Sequence, residues 1–261
     1  MKKLIFYNQA HLGDCLYQVH YCNKLVESND DINIEFYVNI SYFNELNNFI
    51  KNKDKVKLMD IRSGVPEGAV NTWITRSLND VGNYFSRIGI HGKRYDLFYV
   101  DFFTELSKLI GVESPIKNSK DMLFDNVELL DSNIVGGDID YLIINSTPLS
   151  GQFTGYNLVE FDTLIRKLVD SGNKVVTTKK TNIESVLCTT DYNLSLMDIG
   201  NLSIKSKNII AVMTAPIIPC FNIYSVDNFD NFFVLENTMY YSFNDNIRNY
   251  NDIKKIIKEI C

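Results

Sequence analysis

The chain has 261 residues, 45% of them hydrophobic, and carries 26 Lys and Arg against 32 Asp and Glu, a formal net charge of −6. That is enough apolar material for a sizeable core, in one large domain or two of roughly 130 residues. It leaves no basic field for general nucleic-acid or anionic-membrane binding, although backbone N–H groups can still hold a phosphate locally in an acidic protein.

Short β-rich runs alternate with helical ones. Residues 3–8 (KLIFYN) read as a strand, and this apolar run is too short for a signal peptide or a membrane span, so a soluble, cytoplasmic protein is expected. The loop AHLGD then hands over to a helix at 14–28, with Leu16, Val19, Cys22 and Val26 on one face. Cys15 and Cys22 share one side of that helix and read as buried thiols. The five cysteines (Cys15, Cys22, Cys188, Cys220, Cys261) make no CxxC pair and no zinc-finger spacing, which fits a reducing compartment. Residues 32–38 read as a strand, 41–50 as a helix with Ser41 as N-cap, 55–61 and 95–102 as strands, and 104–110 as a helix stopped at Gly111. Between them, 62–94 carries glycines, the only Trp (Trp73) and the stretch HGKRYD, and reads as a long insertion with a helix near 79–86.

The chain turns polar around 112–138, where a linker is expected, with a strand at 122–129. A second series follows: strand 141–147, amphipathic helix 158–172 stopped by Gly172, strand 174–179, short helix 183–190, strand 208–214, helix 215–225, strand 232–236 and a closing helix 250–260. This repeated order predicts an α/β protein of two Rossmann-like domains, 1–125 and 126–261, facing a central cleft.

Ligands of such folds sit beyond the carboxyl ends of the strands. Four stretches fall there: the AHLGD loop, NSTPLSGQFTGYN (145–157), TTKKTN (177–182) and MTAPIIPCFN (213–222). A helix opening at Thr214, Ala215 and Pro216 would offer unpaired N–H groups and a partial positive charge, and Pro at the first turn gives up nothing. Ser150, Gly151 and Gln152 supply hydroxyl, backbone and amide groups suited to a phosphate or diphosphate, and Lys179 and Lys180 supply charge. Taken singly, each is equally a cap or a turn. The four together, at strand ends, point to a bound anion.

The stretch HLGDCLYQVHYCNKLV resembles the opening of GT-B glycosyltransferases of the heptosyltransferase-like group, glycosyltransferase family 9. NSTPLSGQFTGYN with FDTLIRKLVDSGNKVVTTKK looks like the start of that group's donor half, and SIKSKNIIAVMTAPIIPCFN is similar to its later donor-phosphate segment. The resemblance implies a GT-B fold with domain closure, an acceptor-side domain at 1–125 and a nucleotide-sugar donor domain at 126–261. It makes Asp14, the aspartate of the Gly-Asp pair, the catalytic base, against the plainer reading of a helix N-cap. His11 would orient Asp14 or touch the acceptor, against the plainer reading of a hydrogen-bonded structural group. Gly13 falls on the acceptor side, and Trp73, whose ring face could stack on a sugar, reads equally as an acceptor-side residue or a core anchor. Ser150, Gly151, Gln152, Lys179, Thr214, Ala215 and Pro216 would hold the donor.

The activity so implied is a metal-independent transfer of a sugar from a nucleotide-sugar donor to an acceptor hydroxyl of a glycan or glycoconjugate, with no cofactor besides the donor. No DxD motif is present, and Asp138 and Asp140 of GGDIDY read as linker residues. Two departures keep an alternative open, a non-catalytic degenerate GT-B protein that binds a glycan or nucleotide. The 145–157 loop holds no Lys or Arg, and Ala215 stands where the group has glycine. An isomerase of the UDP-GlcNAc 2-epimerase type would need a histidine in the donor half, which has none from residue 139 on, and a dinucleotide oxidoreductase would need a GxGxxG after a strand.

Overall fold

The computed structural model describes residues 2–9, 11–72, 94–127, 136–149, 153–237, 240–241 and 243–261. The chain divides into two units, Met1–Met122 and Leu123–Cys261. Among the described residues no helix is long and apolar enough to cross a membrane.

In the first unit β1 (Lys2–Tyr7), β2 (Ile32–Val38), β3 (Val56–Asp60) and β4 (Val70–Asn71) form a sheet in the order β3-β2-β1-β4, every pairing parallel. Parallel neighbours need crossovers. Helix α1 (Leu12–Ser28) carries β1 to β2, and α2 (Phe43–Phe49) carries β2 to β3. Helix α1 is buried along most of its length, and both Cys15 and Cys22 are inside. It begins at Leu12 with His11 as N-cap, so the expected start at Asp14 lies two residues too late. Ser41 is likewise no N-cap: it sits inside a 3-10 turn, Ile40–Tyr42, and donates its N–H to the Asn39 side chain, 3.0 Å.

Residues 95–102 are not a strand. They open α3 (Tyr95–Leu109), whose buried Tyr95, Phe98, Tyr99, Phe102, Phe103 and Leu106 recur at i, i+3, i+4, i+7, i+8 and i+11. Aromatic and valine content favours a strand locally, but that spacing is helical and decides the outcome. Strand β4 falls in the stretch expected to be an insertion, and the helix expected near 79–86 lies outside the described residues.

The second unit is a sheet of β5 (Ile139–Ile144), β6 (Val175–Thr177), β7 (Leu187–Cys188), β8 (Ser206–Val212), β9 (Asn231–Leu235) and β10 (Ile247–Tyr250). Its order is β10-β9-β8-β5-β6-β7, again all parallel. Read from β7, this is the 3-2-1-4-5-6 order of a doubly wound sheet, with its switch point between β5 and β8. Helices α4 (Leu158–Asp170) and α6 (Ile253–Ile260) cover one region of it, packing Phe161, Leu164, Leu168 and Ile256 on Ile143, Ile210 and Phe233. Helix α4 ends as expected at Gly172. Its φ of 84° suits only a residue without Cβ, and the N–H groups of Gly172 and Asn173 return to Val169 O (2.8 Å) and Leu168 O (3.1 Å), a Schellman end.

Several expectations in this unit need correction. The 183–190 segment is strand β7 followed by a 3-10 turn, Thr189–Tyr192. A helix α5 (Leu196–Ile204) follows, started by a capping box between Ser195 and Asp198. The 215–225 helix is only a 3-10 turn, Ala215–Cys220: Pro216 and Pro219 both lack an N–H, and the Asn222 side chain accepts from Tyr224 and Ser225 instead. Among the described residues of the 122–129 stretch there is a single bridge, Phe124 to Asn222, and no strand. Asp140 belongs to β5, where it accepts the Lys174 N–H at 2.9 Å and pairs with Lys207 at 2.8 Å. The closing helix starts at Ile253, capped by Asp252, because residues up to Tyr250 complete β10.

Candidate functional site

Each unit places a polar group at the carboxyl ends of its strands. In the first, β1 and β4 are neighbours and their ends are tied together. Thr72 donates its N–H (2.9 Å) and its hydroxyl (3.1 Å) to Tyr7 O, and the buried Asn8 side chain donates to Thr72 O at 3.2 Å. Helix α1 starts just beyond, with His11 exposed and Gly13 and Asp14 partly exposed in the first turn.

Asp14 is therefore not the N-cap but the third residue of the helix. Tyr99 of α3 donates its hydroxyl to Asp14 Oδ1 at 2.8 Å. Although the residue keeps some surface, burial is the largest influence on its carboxyl and raises its pKa above the ordinary 3.8. The Tyr99 hydroxyl, the His11 charge and the backbone N–H groups of His11 and Asp14 pull the other way. A carboxylate that keeps a proton more readily than usual, beside open surface, has the character of a general base. Tyr42, in the turn after β2, also lies near: its hydroxyl pKa is raised by burial first, then by Cys15 and Asp14.

In the second unit the switch point between β5 and β8 opens onto residues 145–149, 177–180 and 213–216. Asn145, wholly buried, ties the first two together, accepting the Lys179 N–H at 2.8 Å and donating to Lys179 O at 3.2 Å. Ser146 and Thr178 hydroxyls meet at 2.9 Å. The Lys179 ammonium donates to Thr147 Oγ1 at 2.8 Å and stands 5.7 Å from the Tyr156 ring centroid. So the 145–157 loop, which has no basic residue of its own, receives one from the neighbouring strand end. Lys180 instead pairs with Asp191 at 3.4 Å.

Thr214, Ala215 and Pro216 sit at the end of β8, all partly exposed. The Thr214 hydroxyl turns back to Val212 O at 3.2 Å, and the turn that follows is too short to sum a helix dipole. What remains there is local backbone, not a helix terminus. Ser150, Gly151, Gln152 and Trp73 lie outside the described residues. Among the described residues, no three His, Cys, Asp or Glu side chains gather as a metal would require.

Tyr99 escaped the sequence reading, and Asn145, the first residue of the 145–157 stretch, was not singled out within it. Tyr99 is 85 positions from Asp14 and carries no motif, but its place on the apolar stripe of α3 marks it as buried beside α1. Asn145 carried a signal that went unused, a polar residue directly after an apolar strand.

Neither a protein-family model nor a curated protein sequence matches the chain. Solved structures do. The E. coli heptosyltransferase WaaC, with ADP-2-deoxy-2-fluoro heptose, matches at TM-score 0.57 and 10% identity over 100% of both chains. The E. coli ADP-heptose LPS heptosyltransferase II matches at TM-score 0.55 and 9% identity, over 100% of this chain and 97% of that one. A glycosyl transferase family 9 protein from Veillonella parvula matches at TM-score 0.54 and 10% identity, over 99% of this chain and 89% of that one. The chain thus has the α/β GT-B fold that these structures share.

Proposed function

We propose that this protein is a glycosyltransferase that moves a sugar from a nucleotide-sugar donor to an acceptor hydroxyl of a glycan or glycoconjugate, in the cytoplasm and without a metal ion. The observation that carries the reading is Asp14, a carboxyl with a raised pKa and open surface at the end of the central strand of its unit. In the reaction the acceptor O–H gives its proton to Asp14. The acceptor oxygen bonds to the anomeric carbon, and the bond from that carbon to the diphosphate oxygen breaks. The negative charge that leaves with the nucleoside diphosphate is met by the Lys179 ammonium, the hydroxyls of Ser146, Thr147 and Thr178, and the backbone at 214–216. Ser150, Gly151 and Gln152 would complete this cradle; Gly13, His11 and Trp73 would face the acceptor. No cofactor beyond the donor is involved, and nucleic acid is not a partner.

A diphosphate sugar of adenosine is the first donor to try, because WaaC holds an ADP-heptose analogue and heptosyltransferase II is named for ADP-heptose. The test is thermal shift and turnover against ADP-, UDP-, GDP- and CMP-sugars in EDTA, with wild type and Asp14→Asn side by side. One donor should stabilise both proteins, and the variant should lose about 10²–10⁴-fold in turnover. Equal turnover by the two proteins would remove Asp14 as base. A donor that binds both without turnover in either favours the non-catalytic alternative, for which Ala215 in place of glycine is the supporting observation.

A further inference from the structure

We propose that Tyr99 is the positioning residue of this site: its buried phenol fixes one oxygen of the Asp14 carboxyl, so that the rest of the carboxyl is presented to an acceptor hydroxyl. The proposal rests on the transferase reading above and adds a residue that no motif contains.

The phenol is held in place by aromatic packing. Tyr99 is buried, and its ring lies 4.2 Å from Tyr17, 5.3 Å from Tyr95, 5.5 Å edge-on from Phe98 and 5.8 Å from Phe103. With rings on several sides, its hydroxyl has one direction to point, and there it donates to Asp14 Oδ1 at 2.8 Å. A carboxylate offers about four acceptor positions. The phenol takes one, and the backbone N–H groups of His11 and Asp14 account for others. The open side of the residue is where a further donor, the acceptor hydroxyl, can approach.

The groups facing Asp14 are His11 and Cys15 from the start of α1, Tyr42 from the turn after β2, and Tyr99 from α3. Burial and Asp14 itself hold the Tyr99 hydroxyl well above its usual pKa, so the proton of the contact stays on Tyr99 and the carboxylate stays the base. The phenol thereby favours the charged carboxylate against the burial that opposes it.

The experiment compares wild type, Tyr99→Phe, Asp14→Asn and, as a packing control, Tyr21→Phe. Tyr21 donates or accepts at Ser107 Oγ at 2.8 Å and stacks on Phe103 at 4.5 Å, in the same aromatic group but away from Asp14. Two readouts are taken: the titration of the Asp14 carboxyl by carbon NMR, and kcat against pH with the donor found above. In Tyr99→Phe the carboxyl should titrate at higher pH, the acid limb of kcat should move with it, and kcat at neutral pH should fall about 10- to 100-fold with donor KM unchanged. Tyr21→Phe should do none of this.

An unmoved carboxyl titration in Tyr99→Phe overturns the proposal. So does a wild-type kcat in Tyr99→Phe when Asp14→Asn is inactive, or an equal loss in Tyr21→Phe. If Asp14→Asn turns over like wild type, the transferase role of Asp14 is what fails, and the positioning role goes with it. Should Tyr99→Phe not fold, 3-fluorotyrosine placed at position 99 keeps the shape and strengthens the donor. The Asp14 titration must then move to lower pH, and a shift the other way counts against the proposal.

Discussion

Replacing Gly200 by Ala should destabilise the protein, although Gly→Ala inside a helix ordinarily does the reverse. Gly200 lies within α5, where the substitution alone would gain up to about 1 kcal/mol from helix propensity. A Cβ at this position would stand 2.9 Å from Pro219 Cβ, 3.1 Å from Pro219 O and 3.1 Å from Val127 Cγ1. A proline ring and a backbone carbonyl cannot rotate away, so α5 and the 215–220 turn must separate. Overpacking of this kind costs about 1–3 kcal/mol, and with the full propensity gain set against it the net loss is up to about 2 kcal/mol. For a chain of this size that lowers Tm by up to roughly 8 °C. Thermal and urea unfolding followed by circular dichroism measure it, and m should not change. The displaced turn carries Thr214–Pro216 at its start, so under the proposed function donor affinity should fall in parallel. A Gly200→Ala protein that melts at or above wild type would show that α5 and the turn are not in contact, and the reasoning would be wrong.

Two further outcomes follow from burial. The folded-state pKa of Asp14 lies above its usual 3.8, so its contribution to stability is complete below that value and is lost as pH rises through the raised one. The urea midpoint of wild type minus that of Asp14→Asn should therefore fall from acid toward neutral pH, and a flat or rising difference would contradict the burial of the carboxyl. Cys15, Cys22, Cys188 and Cys220 are buried and Cys261 is exposed; burial pushes the Cys22 and Cys220 thiols up to about 12 and Cys15 well above its usual value. A thiol reagent should thus label Cys261 alone in the native protein and all the cysteines in denaturant, and a second fast native thiol would refute that packing.

The parts of the fold that were legible are those in which local signals agree. Helix α4 has a regular apolar stripe and a glycine stop, and both are observed in place. The alternation of strands and helices announced two parallel sheets for the same reason. Helix α3 was misread because a window ending at residue 102 sees aromatics and valine, whereas the full stretch to Leu106 shows the helical period. The 215–220 turn was misread because one proline at a first turn supports a helix, and the second, Pro219, ends it. The Gly-Asp pair was read as lying between β1 and the helix that follows, and it is found in the first turn of that helix. It could not show that His11 rather than Asp14 caps the helix, nor that Tyr99 supplies the partner, because a contact spanning 85 positions leaves no local trace.

The strand order of the second unit also bears on how the chain is made. Strand β5 sits inside the sheet, yet of its two neighbours only β6 follows after a single helix; β8 starts at Ser206, about 60 residues beyond the end of β5 at Ile144. At roughly 5–20 residues per second on the ribosome, that edge stays open for about 3–12 s. During that interval an apolar strand (Leu142, Ile143 and Ile144 are all wholly buried in the finished protein) shows unpaired backbone to its surroundings. Codon usage and chaperone supply across residues 145–206 should then govern the yield of folded protein, and so should those across residues 8–69 of the first unit, where β1, ending at Tyr7, waits about as long for β4 at Val70.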